Sequence, residues 1–312
     1  MSIVAIVGAG LVGQGWAIVF ARAGWQVRLH DVAADRLAEA RDLVVRQLHA
    51  LQAQGLLQDA AAVARRVETA PTLEAALDGA AYVQENSPER VDAKRALFAR
   101  MDALAAPDAI LASSTSSIPA SLWSGDLPHR ERCLVAHPVN PPYLVPVVEI
   151  SGAPWTSGQA IARTRDILNA VGQRPVVVRK EIEGFILNRL QGAVLQEAMR
   201  LVRDGVASVE DIDTTMKDGL GLRWSFMGPL ETIDLNAPGG IADYCARYGA
   251  MYASIGASQA EAPAWDAALV ETLSRERRAA LPEEELASRR FWRDEQLMRL
   301  MRHKQQSGDE HG

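Results

Sequence analysis

The chain has 312 residues, 48% of them hydrophobic and 23% charged, with a net charge of −6. That length supports two domains with separate cores, and the acidic balance argues against nucleic acid or an anionic membrane surface as a partner. Its two cysteines, Cys133 and Cys245, stand in no metal-like spacing, so no metal site is expected and a reducing, cytoplasmic setting fits.

Residues 3–21, IVAIVGAGLVGQGWAIVFA, carry no charge and have the length of a membrane span. Four glycines and Gln14 interrupt the run, and no basic residue precedes it as a signal peptide requires. The water-soluble reading is better: IVAIVGAG (3–10) is a buried parallel strand breaking into glycines, 11–23 has helical spacing, and WQVRLHD (25–31) is a second strand. A helical pair follows at 34–64, broken at Gly55, then a weak strand near 66–70. AYVQEN is the next strand, 89–105 a helix, and AILASS (109–114) a strand ending in small hydroxyl residues. CLVAHP, VPVVEIS and RPVVVR are further β-rich runs, with a helix at 156–170 before the last. Alternating strands and helices imply a mostly parallel sheet covered on both faces.

Beyond residue 182 the pattern is helical. GFILNRLQGAVLQEAMRLVRDG is a long amphipathic helix, and Ser208 with Asp211 resembles a capping box that opens another. Residues 265–304 carry helical patterns with charged faces, and QQSGDEHG reads as a frayed tail. The expected fold is α/β: a Rossmann-type, doubly wound, mostly parallel sheet over 1–182, followed by an all-α domain over 183–312.

Gly8-Ala9-Gly10-Leu11-Val12-Gly13 matches G-x-G-x-x-G between an expected strand and an expected helix, and Asp31 ends the second strand 18 residues past Gly13. Gly8 permits the tight turn, Gly10 lets a pyrophosphate approach the backbone, and Gly13 lets helix and strand pack closely. The loop, Leu11 and Val12 included, then presents helix N–H groups to the phosphates. Asp31 would accept from both adenosine ribose hydroxyls and repel a 2′-phosphate, which favours NAD over NADP.

A dehydrogenase needs a base for the hydroxyl proton as hydride leaves the neighbouring carbon, and a neutral imidazole suits this near pH 7. His137 ends one expected strand and Glu149 lies on the next, 12 residues later. The carboxylate could fix the imidazole tautomer and stabilise its cation. Read alone, such a couple is more commonly a structural ion pair.

The stretches GAGLVGQGWA, QENSPERVDAK, SSTSSIPAS, VAHPVNPPYLVPVVEI, KEIEGFILNRLQ, DGLGLRWSFMGPLET and SRRFWRDEQLMRL span nearly the whole chain. Together they resemble the L-3-hydroxyacyl-CoA dehydrogenase superfamily, and within it the lambda-crystallin / L-gulonate 3-dehydrogenase branch. The resemblance implies a catalytic dyad at His137 and Glu149, an active-site serine at Ser116, and a substrate-oxygen ligand at Asn188. It implies further cofactor contacts at Glu89 and Lys94, a dyad-supporting role for Asn140, and a homodimer. Ser114 stands where the superfamily usually has asparagine. With Asn188 in the helical domain, the active site is expected in an interdomain cleft.

The substrate is less legible. The acyl-CoA branch usually carries lysines after the second strand, whereas residues 40–66 contain none, although Arg41, Arg46, Arg65 and Arg66 could substitute. A small hydroxy acid needs a cation for its carboxylate, and Arg223 is the candidate. Three readings stay open: an NAD-dependent dehydrogenase of a small, L-gulonate-like hydroxy acid, an L-3-hydroxyacyl-CoA (3-hydroxybutyryl-CoA) dehydrogenase, and a non-catalytic NAD-binding crystallin-like protein. Leu190, Val194 and Ala198 share one helix face that suits either a dimer or the core.

Overall fold

The computed structural model describes residues 2–261 and 265–306. Its chain divides into two compact units, one of residues 1–189 with 291–312, the other of residues 190–290.

The first unit holds an eight-stranded sheet. In chain order the strands are β1 (Ile3–Val7), β2 (Gln26–His30), β3 (Val67–Thr69), β4 (Tyr82–Glu85), β5 (Ile110–Ser113), β6 (Cys133–Pro138), β7 (Val147–Gly152) and β8 (Arg174–Val178). They lie side by side as β3-β2-β1-β4-β5-β6-β7-β8. All neighbouring pairs are parallel except β6 and β7, which run antiparallel. The strand order reverses between β1 and β4, the place where doubly wound sheets open a ligand crevice.

Helices α1 (Leu11–Arg22), α2 (Ala34–Ala53), α3 (Ala60–Ala64), α4 (Leu73–Leu77), α5 (Val91–Leu104), α6 (Ser121–Ser124) and α7 (Gly158–Ala170) connect these strands. Successive residues of β1 point to opposite faces. Val4 and Ile6 enter a core with Trp16, Phe20 and Leu48, while Ala5 and Val7 enter a second with Leu77, Phe98 and Trp123. The uncharged run at 3–21 is therefore β1 and most of α1, apolar because both are sandwiched. Among the described residues no helix is long and apolar enough to cross a membrane.

After β8 the helices are α8 (Leu187–Arg203), α9 (Val209–Thr214), α10 (Gly221–Trp224), α11 (Pro229–Leu235), α12 (Gly240–Ser258), α13 (Ala267–Ala280) and α14 (Leu286–Gln306). Ser208 caps α9 as its spacing predicts, accepting from Asp211 N at 3.1 Å. The last helix returns to the first unit, where Met298 is buried in the core beside α1 and α2. Of the expected frayed tail, residues 307–312 lie outside the described residues.

Candidate active site

The turn from β1 to α1 is built on its glycines. Gly8 sits at φ +99°, and a Cβ there would meet Asn86 O at 2.7 Å. A Cβ on Gly13 would lie 1.9 Å from Gly8 O, whereas one on Gly10 would meet nothing within 4 Å. Gly8 and Gly13 thus permit close packing, and Gly10 leaves the approach to the loop open. No side chain caps α1 at Gly10, so its leading N–H groups stay available for phosphate oxygens.

Asp31 follows β2 and is fixed by two backbone donors. Its Oδ2 accepts from Ala9 N at 2.8 Å and its Oδ1 from Ala33 N at 3.0 Å. The carboxylate stands on a cavity of about 500 Å³ lined by Gly8, Gly10, Val12, Asn86 and Glu89 among others. A glycine cradle, an uncapped helix end and a fixed carboxylate on one cavity together fit a dinucleotide.

His137 and Glu149 are direct partners across the antiparallel β6–β7 pair. Their Nδ1 and Oε2 atoms are 2.9 Å apart, and the residues are only 6% and 2% exposed. The other carboxylate oxygen, Oε1, accepts from Ile186 N at 2.7 Å and Leu187 N at 2.8 Å. Those donors open α8, where the helix dipole favours an anion. They are presented by an unusual turn, with Gly184 at φ +74° and Phe185 at φ +50°. A left-handed phenylalanine is strained. Phe185 is fully buried, its ring centroid 5.7 Å from that of His137.

Burial alone would raise the pKa of Glu149. The hydrogen bonds from His137, Leu187 N and Ile186 N, with the imidazole's charge, outweigh it and hold the carboxyl below the usual carboxylate range. An ionised acceptor at Nδ1 keeps the ring proton there, so Nε2 carries the lone pair that can take a proton.

The loop after β5 ties this pair to the cavity wall. Glu89 accepts from Thr115 Oγ1 at 2.6 Å and Ser116 N at 2.5 Å. Asn188 Nδ2 donates to Ser116 O at 2.6 Å, one residue along α8 from the Leu187 N–H that binds Glu149. His137, Glu149, Ser116 and Asn188 therefore belong to one connected cluster within the first unit.

Lys94 sits differently. It is fully buried, donating from Nζ to both oxygens of Glu85 at 3.0 and 3.1 Å and to Ser87 O and Ser113 Oγ at 3.4 Å. Glu85 also accepts from Ser113 Oγ and Ser87 N, each at 2.6 Å. This buried pair braces residues 86–89, which line the cavity. Asn140 is exposed, next to the cis Asn140–Pro141 bond, and no described hydrogen bond joins it to the dyad. Arg223 lies exposed on α10 in the second unit.

Several participating residues escape the sequence reading. Gln84, Glu85 and Phe185 lie within QENSPERVDAK and KEIEGFILNRLQ, but residue type alone gives them no role, since an acid, an amide and an aromatic beside apolar runs are ordinary. Ser114 proves a junction: its Oγ donates to Asn86 Oδ1 at 2.7 Å and accepts from Gln84 Nε2 at 2.7 Å and Trp16 Nε1 at 3.0 Å.

Residues 3–182 match the 3-hydroxyacyl-CoA dehydrogenase NAD-binding domain, and residues 184–280 match the C-terminal domain of the same family. The chain is 41% identical to lambda-crystallin of Oryctolagus cuniculus over 309 residues, covering 97% of this chain and 96% of that one. It is 41% identical to L-carnitine dehydrogenase of Pseudomonas putida over 246 residues, 78% of this chain and 76% of that one. Among solved structures it is similar to 5-formyl-3-hydroxy-2-methylpyridine 4-carboxylic acid 5-dehydrogenase, an NAD⁺-dependent dismutase, with a TM-score of 0.84 and 29% identity over 97% of this chain and 98% of that one. The chain belongs to the 3-hydroxyacyl-CoA dehydrogenase family, NAD-dependent dehydrogenases that act on a CH–OH group.

Proposed function

We propose that this dehydrogenase oxidises the 3-hydroxyl of a small, L-gulonate-like hydroxy acid to the 3-keto acid, with His137 as general base. The observation that carries the reading is the cross-strand contact of His137 Nδ1 with an ionised, buried Glu149. Bound NAD supplies the hydride acceptor. His137 Nε2 takes the hydroxyl proton as the carbon–oxygen double bond forms, and returns it in the reverse direction. Glu149 holds the ring and stabilises its cation. Ser116 Oγ and Asn188 Nδ2 are neutral donors for the substrate oxygen, steadying the developing carbonyl without trapping a charge. Glu89 and Lys94 belong to the cofactor side, Glu89 by lining the cavity and Lys94 by holding the loop beside it. Asn140 supports the dyad on substrate binding, and Arg223 pairs with the substrate carboxylate.

The helical part, 183–312 in the sequence reading, takes the substrate and forms a homodimer. Support comes from the apolar face of α8, where Leu190 is 60% and Val194 37% exposed in a single chain. Two free cysteines suit a reducing, cytoplasmic compartment.

The family match favours a second reading, 3-hydroxyacyl-CoA oxidation by the same dyad. One panel separates the two: NADH or NADPH formation from L-gulonate, L-carnitine, 3-hydroxybutyrate and 3-hydroxybutyryl-CoA, each with NAD and with NADP. The small-acid reading predicts turnover of an unesterified acid with NAD. Turnover of the CoA ester alone overturns it, and no NADH from any substrate favours a non-catalytic protein. Light scattering of the intact chain at twice the monomer mass supports the dimer, and monomer mass refutes it.

A further inference from the structure

Asp31 is not the only charged group on the dinucleotide cavity. Arg36 lies in the first turn of α2, five residues beyond Asp31, and lines the same cavity with Val32, Leu73, Leu97 and Arg100. The aliphatic members make an apolar slot of the kind that takes a flat heterocycle. The two guanidinium groups differ. Arg100 Nη2 is 3.8 Å from Glu74 Oε1, whereas Arg36 has no hydrogen-bond or ionic partner among the described residues. Asp31 forms no direct ion pair with it, and both of its carboxylate oxygens accept from backbone N–H groups.

An unpaired arginine facing a nucleotide cavity has two ligand groups within its chemistry. Its planar guanidinium can lie against an adenine ring, and its charge can pair bidentately with a phosphate on the adjoining ribose. We propose that Arg36 is a second determinant of cofactor recognition: it covers the adenine of NAD, and it would accept a 2′-phosphate if Asp31 did not repel one. Selectivity for NAD over NADP then rests on the Asp31 charge alone, in a site otherwise equipped for the phosphorylated cofactor. The inference concerns the cofactor end only and is independent of the substrate.

The test is direct binding of NADH and NADPH to the full chain, followed by nicotinamide fluorescence, with no substrate present. Arg36→Ala is expected to weaken NADH roughly three- to tenfold through loss of the ring contact. Asp31→Asn keeps an acceptor for one of the backbone donors and removes the charge. It is expected to tighten NADPH about a hundredfold relative to NADH. Adding Arg36→Ala to Asp31→Asn should erase most of that gain. Adding Arg36→Lys instead should keep part of the NADPH preference, since the charge remains, while the affinity for both cofactors falls as the planar group is lost. NADH binding to Arg36→Ala at wild-type strength would overturn the adenine contact. NADPH bound equally well by Asp31→Asn with and without Arg36, or not tightened by Asp31→Asn, would overturn the phosphate contact. Arg36 is exposed, so its single variant should fold and read out even if the Asp31 change disturbs the loop.

Discussion

The two compact units treat apolar side chains in opposite ways. In the first, both faces of the sheet are covered and the chemistry-bearing groups are locked by partners: Lys94 by Glu85, His137 by Glu149, Ser116 by Glu89 and Asn188. In the second, Leu222, Phe226, Leu230 and Leu235 are each more than 60% exposed, and neither α8 nor α12 has a buried residue. The first unit completes its core within one chain. The second presents apolar area of the kind that mediates binding. The lesson is that the polar groups of the first unit are held by internal packing, while the second unit keeps its apolar side chains on its surface.

The contrast can be broken most forcefully at the buried ion pair. Lys94→Met leaves Glu85 charged, buried and unpaired, so the chain should lose about 3–5 kcal/mol of stability. Denaturant unfolding measures this. A loss near that of a surface substitution would mean that the pair does not brace the β4 and β5 ends.

A smaller and pH-dependent effect is expected at Glu149→Gln. The amide can still accept from the α8 backbone, but it cannot stabilise an imidazolium. The turnover rate should fall about a hundredfold. A carboxyl held below its unfolded value adds stability above the ordinary carboxylate range, and that stability is lost as pH falls through its depressed pKa. Wild type should therefore exceed the variant in stability at neutral pH by about 1.5–3 kcal/mol, and the gap should shrink below about pH 4. A gap that is constant down to pH 2 would contradict an ionised Glu149.

The smallest effect on folding belongs to the second unit. Leu222→Ser with Phe226→Ser alters only exposed side chains, so unfolding of the monomeric chain should shift by no more than about 0.5 kcal/mol each. If these residues serve assembly, light scattering should show a lower mass for the double variant. A large stability loss at unchanged mass would place them in a core instead.

The fold and much of the candidate site were legible in the sequence, for physical reasons that differ by residue. The glycine turn announces itself because a Cβ at Gly13 would lie 1.9 Å from Gly8 O, so only glycine fits there. The strands of the sheet read clearly because burial on both faces makes them continuous apolar runs, as in IVAIV. His137 and Glu149 could be paired because few residues lie between them. That their strands run antiparallel in direct register was not legible, since turn geometry fixes it. The α4 helix is not legible, being a single short segment, LEAAL, capped by Thr72. The return of α14 to the first core rests on Met298, one buried residue in a helix whose pattern is mostly polar. Arg36 is not legible in the sequence, because an arginine in a helix's first turn has the pattern of any solvated cation and only the cavity beside it sets it apart.

The most direct test of the central claim is the rate of NADH formation by His137→Ala on the best substrate of the panel, with the variant's NADH affinity measured alongside. An imidazole that removes the hydroxyl proton predicts a fall in kcat of about a thousandfold or more while NADH still binds. A variant that binds NADH and keeps most of its rate would contradict the account.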